Sequence, residues 1–152
     1  PRKGAYVANI SVKDLMDVLE IRASLEGLGA SLAAERRNDE DIKNLEELEV
    51  EFEEAVRTQN IDMLLKKDIE FHECIFKAAN NKKLEKMINT LWEQVQRFRI
   101  TYVSDSNASL SLIDEHQSIL NAIKEGNIAD SKKFAIKHIE KAEQFMLEHC
   151  TK

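Results

Sequence analysis

Asp68, His72, His116 and His138 are the side chains in this sequence whose types and spacing fit a metal site. Asp68 and His72 lie four residues apart, so on a helix turning about 100° per residue they share one face. Ile61, Leu64, Leu65, Ile75, Phe76 and Ala79 define an apolar stripe on that face, with the carboxylate and the imidazole at its centre. Burying such groups without partners is costly, so they require each other, a hydrogen-bond network or a cation. His116 falls among Leu112, Ile119, Leu120 and Ile123, and His138 among Phe134, Ala135, Ala142, Phe145 and Met146. A lone histidine on an apolar face is usually a hydrogen-bonded core residue. Three imidazoles and a carboxylate converging from three helices are hard to reconcile with packing alone, whereas a divalent cation satisfies all of them.

This donor set accepts Zn, Ni, Mn, Co or Fe, with zinc or nickel favoured. Four protein ligands would complete a tetrahedral structural site, while a larger shell leaves positions for water or a ligand carboxylate. Arg22 lies near the middle of the first apolar stripe, with Glu26 one turn on, and either braces that glutamate or offers a planar guanidinium to an anionic ligand. Arg99 borders the stripe of a later helix and is the second pocket candidate, with Arg97 on the opposite side. His149 is about 16 Å along its helix from His138, too far to share an ion, and is assigned to end packing.

Hydrolysis by a metal-bound water would need a base, and Glu70 and Glu115 adjoin the ligands in sequence. On ideal helices both project away from the site. His-Glu-x-x-His, Gly-x-Ser-x-Gly, Walker and Gly-x-Gly-x-x-Gly patterns are absent from the sequence. An enzyme is therefore disfavoured.

The elements that must position these groups are helices. With four Gly and one Pro, the latter at residue 1, almost nothing interrupts the backbone of this 152-residue chain. Its length fits one domain with a full core. A net charge of −6 without a dense Lys/Arg cluster makes the chain alone a poor nucleic-acid binder. No apolar run approaches a membrane span and no signal-peptide pattern opens the chain, so a cytoplasmic location is expected. Cys74 and Cys150 have neither zinc-knuckle spacing nor the number for a disulfide framework, and read as reduced thiols.

Residues 1–9 read as a turn and a short β-prone run, Arg2-Lys3-Gly4-Ala5-Tyr6-Val7. Helices are expected from Ser11 to about Arg37, Glu40 to Thr58, Ile61 to Ala79, Lys82 to Val103, Ser111 to Glu125 and Ile128 to Glu148. Ser11, with Asp14 three residues on, is a plausible cap for the first, Asn38 or Asp39 for the second, and Asn80-Asn81 ends the third and opens the fourth. The polar stretch Ser104–Ser109 reads as a loop. The result is an all-α antiparallel bundle of six or seven helices around a central metal and ligand cavity.

Leu19-x-x-Arg22-x-x-Leu25-Glu26, Asp68-x-x-Phe71-His72, Ala79-x-Asn81-x-x-Leu84, Glu115-His116-x-x-Ile119, Ala122-Ile123-x-x-Gly126 and His138 follow one another in an order that resembles a known family. They look like the effector-binding C-terminal domain of the FadR subgroup of GntR-type transcription regulators, over nearly all of Ser11 to His149. Six helices resemble its shorter, VanR-like branch. The resemblance implies that Asp68, His72, His116 and His138 are metal ligands, that Arg22 faces an effector cavity, and that the effector is a small organic acid. It disfavours a fatty-acyl effector, because the acyl-CoA-responsive member lacks this metal set.

The resemblance further implies that residues 1–9 are the remnant of the last wing strand of a winged helix-turn-helix domain, with 10–152 an effector-binding and dimerisation domain. DNA would then be contacted only through that missing N-terminal domain, by a homodimer that has no membrane association. The competing expectation is a structural or interaction module, stapled by the metal.

Overall fold

The structure, a computed structural model, describes residues 10–150, so the expected wing-strand remnant at 1–9 lies outside the described residues. Six helices account for almost all of it, with no strand among the described residues: α1 (Val12–Arg36), α2 (Asp39–Arg57), α3 (Ile61–Ala79), α4 (Lys82–Ser104), α5 (Ser106–Lys124) and α6 (Ile128–Cys150).

Each start is set by a short polar side chain that satisfies backbone N–H groups the first turn leaves free. Ser11 accepts from the Asp14 amide, Asn60 from Met63, Asn81 from Leu84 and Asn127 from Asp130. Asn38 and Asp41 cap each other's backbone in a reciprocal box. Asn80 closes α3 in the left-handed region, at φ 50°, a conformation asparagine tolerates.

Ser104–Ser109, expected as a loop, is helical except at Asp105. The Asp105 side chain accepts from the amides of Asn107 and Ala108 and starts α5 one residue after α4 ends. A composition of Ser and Asn signalled a turn, but one capping carboxylate compresses that turn to a single residue.

α1 runs through the middle of the bundle, packing against α3, α4, α5 and α6, while α2 covers α3 and α5. The close approach explains its small residues. A Cβ on Gly27 would lie 2.7 Å from Cγ1 of Ile136 on α6, and one on Gly29 would lie 2.7 Å from the Phe76 ring on α3. The stripes fall largely as their spacing predicts, with two exceptions: Ile61 is 38% and Met87 56% exposed, each in the first two turns of its helix. Three apolar clusters surround a polar centre: one includes Leu15, Phe52 and Tyr102, a second Leu45, Phe71 and Ile123, and a third Phe76, Ile88 and Trp92. His116 packs between the rings of Phe52 and Phe71, and His72 meets Trp92 edge-on, so all three clusters border the imidazoles.

Candidate metal centre

α3, α5 and α6 bring His72, His116 and His138 together in the interior, each with a ring nitrogen within 4.8 Å of the other two. The three are 2%, 0% and 5% exposed, and Asp68 is 3% exposed. Nε2 of His72 lies 3.2 Å from Nε2 of His138. Oδ1 of Asp68 lies 3.2 Å from Nε2 of His116 and 3.7 Å from Nε2 of His72. The four residues singled out by their spacing thus meet at one point, on the side of each imidazole that carries Nε2.

The opposite nitrogens explain why. Nδ1 of His72 faces Oε2 of Glu26 at 3.3 Å, Nδ1 of His138 faces Oε2 of Glu115 at 2.7 Å, and Nδ1 of His116 faces Oε2 of Glu49 at 3.2 Å. A carboxylate accepts from an N–H, so in neutral rings the contacts of His72 with Glu26 and of His138 with Glu115 place the proton on Nδ1 and turn the Nε2 lone pair inward. Two lone pairs 3.2 Å apart repel unless a cation or a proton lies between them. Two nitrogens about 2.0–2.1 Å from a common ion at a tetrahedral angle would be about 3.4 Å apart. The spacing therefore suits ligands of one metal.

Orphaned atoms agree. Nδ1 and Nε2 of His116 and both carboxylate oxygens of Glu49 are buried without a hydrogen bond, since their 3.2 Å contacts are off the hydrogen-bond line. Such groups are rare in a folded interior and ask for an explanation.

The charges around the rings pull in opposite directions. Burial pushes the His116 imidazole down, but the flanking carboxylates of Asp68 and Glu49 outweigh it and raise it to about 9. His138 is lowered to about 4, by burial first and then by the neighbouring rings of His72 and His116, against the pull of Glu115. Burial would raise Asp68, but the Arg99 guanidinium and the adjacent imidazoles hold it well below the usual carboxylate range. Positive charge on neighbouring rings is mutually repulsive, and a dication held between them would stand in for it.

Both arginines are buried. Arg99 donates from Nε to Oδ2 of Asp68 at 2.7 Å, leaving Oδ1 to face the histidines, and its Nη2 has no partner. Arg22 donates from Nε to Oε1 of Glu26 at 3.1 Å. Arg22, Arg99, Asp68, His72, Tyr102 and His138 line one cavity of about 30 Å³, with apolar walls from Leu15, Leu19, Val95, Phe98, Ile139 and Met146. That volume holds one or two waters. Arg22 braces Glu26 and also lines the cavity.

Glu115 needs a correction. It was expected to project away from the site, as adjacency to His116 on one helix dictates, yet it contacts His138 because α6 packs alongside α5. Glu26 is expected only as the partner of Arg22, not of His72, and Glu49 and Trp92 have no expected role at the centre. Glu49 shares the α2 stripe with Leu45, Phe52 and Val56, and a buried glutamate in an otherwise apolar stripe was the available signal. His149 is exposed and stacks on Phe145, as its distance along α6 required.

The sequence profile of the FCD domain matches residues 17–141. The chain belongs to the FCD domain family. This is the effector-binding, C-terminal domain of GntR-family transcription regulators, a family of regulators rather than enzymes, and its members can bind metal. The FCD domain here is 22% identical over 138 residues to the HTH-type transcriptional regulator YdhC of Bacillus subtilis, covering 90% of this chain and 62% of that protein. It is 27% identical over 139 residues to LutR of the same organism, covering 88% and 63%. With GlaR of Escherichia coli, a transcriptional repressor, it shares 25% over 148 residues, covering 91% and 66%. The chain thus spans a little over three fifths of the length of the first of these relatives.

Solved structures share the fold. McbR/YncC of E. coli superposes with a TM-score of 0.85 at 17% identity, covering 93% of this chain and 68% of that one. A GntR protein of Streptococcus agalactiae gives 0.75 at 24% identity, covering 86% and 58%.

Proposed function

We propose that this FCD domain is the ligand sensor of a cytoplasmic transcription regulator, holding one divalent transition metal on Asp68, His72, His116 and His138 and binding a small carboxylate effector beside it. The observation that carries the reading is the convergence of three Nε2 atoms whose Nδ1 atoms each face a glutamate carboxylate. Zinc or nickel suits the nitrogen-rich donor set best. The metal, when bound, supplies a Lewis-acidic position for a carboxylate oxygen. Arg22 and Arg99 supply countercharge, and the small cavity limits the effector to an acid of few heavy atoms unless the bundle opens.

The regulator would act as a homodimer, reading DNA through an N-terminal winged helix-turn-helix domain. Effector binding shifts DNA affinity only if it favours one arrangement of the paired domains over another. The direct test is elemental analysis of protein purified without chelator, alongside a His116→Ala variant. Stoichiometric metal in the parent and its loss in the variant are expected; parent protein without metal, with a melting temperature indifferent to EDTA, would overturn the reading.

The smallness of the cavity favours a second reading, a metal that only staples the bundle as an interaction module. A thermal-shift series of acetate, lactate and propionate on zinc-loaded protein separates the two, since a staple would be stabilised by none of them.

A further inference from the structure

Glu26 touches both an imidazole of the candidate centre and an arginine of the cavity. Its Oε1 accepts from Nε of Arg22 at 3.1 Å and from Nε1 of Trp92 at 3.0 Å, while its Oε2 lies 3.3 Å from Nδ1 of His72. It is 3% exposed, so these three donors, from α1, α4 and α3, make up the neighbourhood of its charge. The Trp92 ring in turn carries the Arg99 guanidinium at 5.6 Å from its centroid, so the indole connects this carboxylate to the second arginine of the cavity.

We propose that Glu26 is a positioning residue that orients His72 toward the metal and Arg22 toward the anion at once, and that Trp92 is the fixed point holding it in place. This inference rests on the metal-sensor reading above. The physical reason is that a carboxylate accepting from an Nδ1–H fixes the imidazole tautomer and raises its basicity as a ligand. The same carboxylate anchors Nε of Arg22, which leaves the two terminal amino groups of that guanidinium free for the cavity. Neutralising Glu26 with an amide of the same shape removes the negative charge from both. A glutamine can keep its carbonyl on the indole N–H, but then turns an NH₂ toward an N–H of His72.

Trp92 is the single tryptophan of the sequence, so its emission reports this contact without interference. The experiment titrates zinc into metal-free parent, Glu26→Gln and Trp92→Phe proteins by competition with a chelating dye. It follows Trp92 emission in the first two, then measures the thermal shift given by acetate on each zinc-loaded protein. Glu26→Gln should weaken zinc binding about 10–100-fold, abolish the zinc-dependent emission change and reduce the acetate shift. Trp92→Phe, which keeps the aromatic packing and deletes the N–H, should weaken zinc several-fold although it touches no ligand. Parent-like zinc affinity in both variants would overturn the role of Glu26 while leaving the metal site intact. A parent that binds no zinc would instead overturn the sensor reading on which it rests. Were Glu26→Gln unable to fold, Trp92→Phe alone would decide, with unchanged zinc affinity counting against the proposal.

Discussion

Nε2 of His138 faces Nε2 of His72 at 3.2 Å, while the far nitrogen of each ring faces a glutamate. That opposition of lone pairs is relieved by a cation, so metal should raise stability by mass action. At free zinc about 100 times the dissociation constant the gain is about 2.7 kcal/mol. At about 2–4 °C per kcal/mol for a chain of this size, differential scanning fluorimetry should show a rise of roughly 5–10 °C that EDTA reverses. His138→Ala should melt at the same temperature with and without zinc.

Arg99 and Asp68 form a buried ion pair, both about one-twentieth exposed. Removing one partner leaves the other charge uncompensated, at a cost of about 3–5 kcal/mol. Arg99→Ala should therefore lose that much in urea denaturation of metal-free protein. A loss under 1 kcal/mol would mean that Asp68 finds another cation or takes a proton.

Gly29→Ala sets two effects against each other. Alanine gains about 1 kcal/mol in helix propensity. Its methyl, however, would sit 2.7 Å from the ring of Phe76, a buried and rigid neighbour. Overpacking of this kind costs about 1–3 kcal/mol, so the variant should be destabilised, read as a lower denaturation midpoint with an unchanged slope.

Cys74 is half-buried, and burial pushes its thiol up to about 11. At pH 8 its thiolate fraction is about two orders of magnitude below that of an ordinary cysteine, whose pKa is about 8.5. In a Cys150→Ser background, alkylation by iodoacetamide at pH 8 should be slower than that of free cysteine by a similar factor, and should accelerate steadily toward pH 11. Rapid labelling at pH 8 would show that α3 opens around this position.

Much of the candidate centre was legible because its residues break a pattern. Asp68, His72, His116 and His138 each interrupt an apolar stripe, and periodicity alone places all of them inside. Capping residues were equally readable, since Ser11, Asn38 and Asn81 act on backbone within three residues of themselves. Glu26, Glu49 and Glu115 were not legible as partners of imidazoles. Their roles depend on which helix lies alongside, a relation between elements that spacing within one helix does not contain. Ser104–Ser109 failed for the converse reason, because composition outweighed a single cap.

Asp105 alone joins α4, which carries Arg99, to α5, which carries His116. A joint of one residue has no slack. Neither helix can slide along its own axis without displacing the one residue at which the other begins.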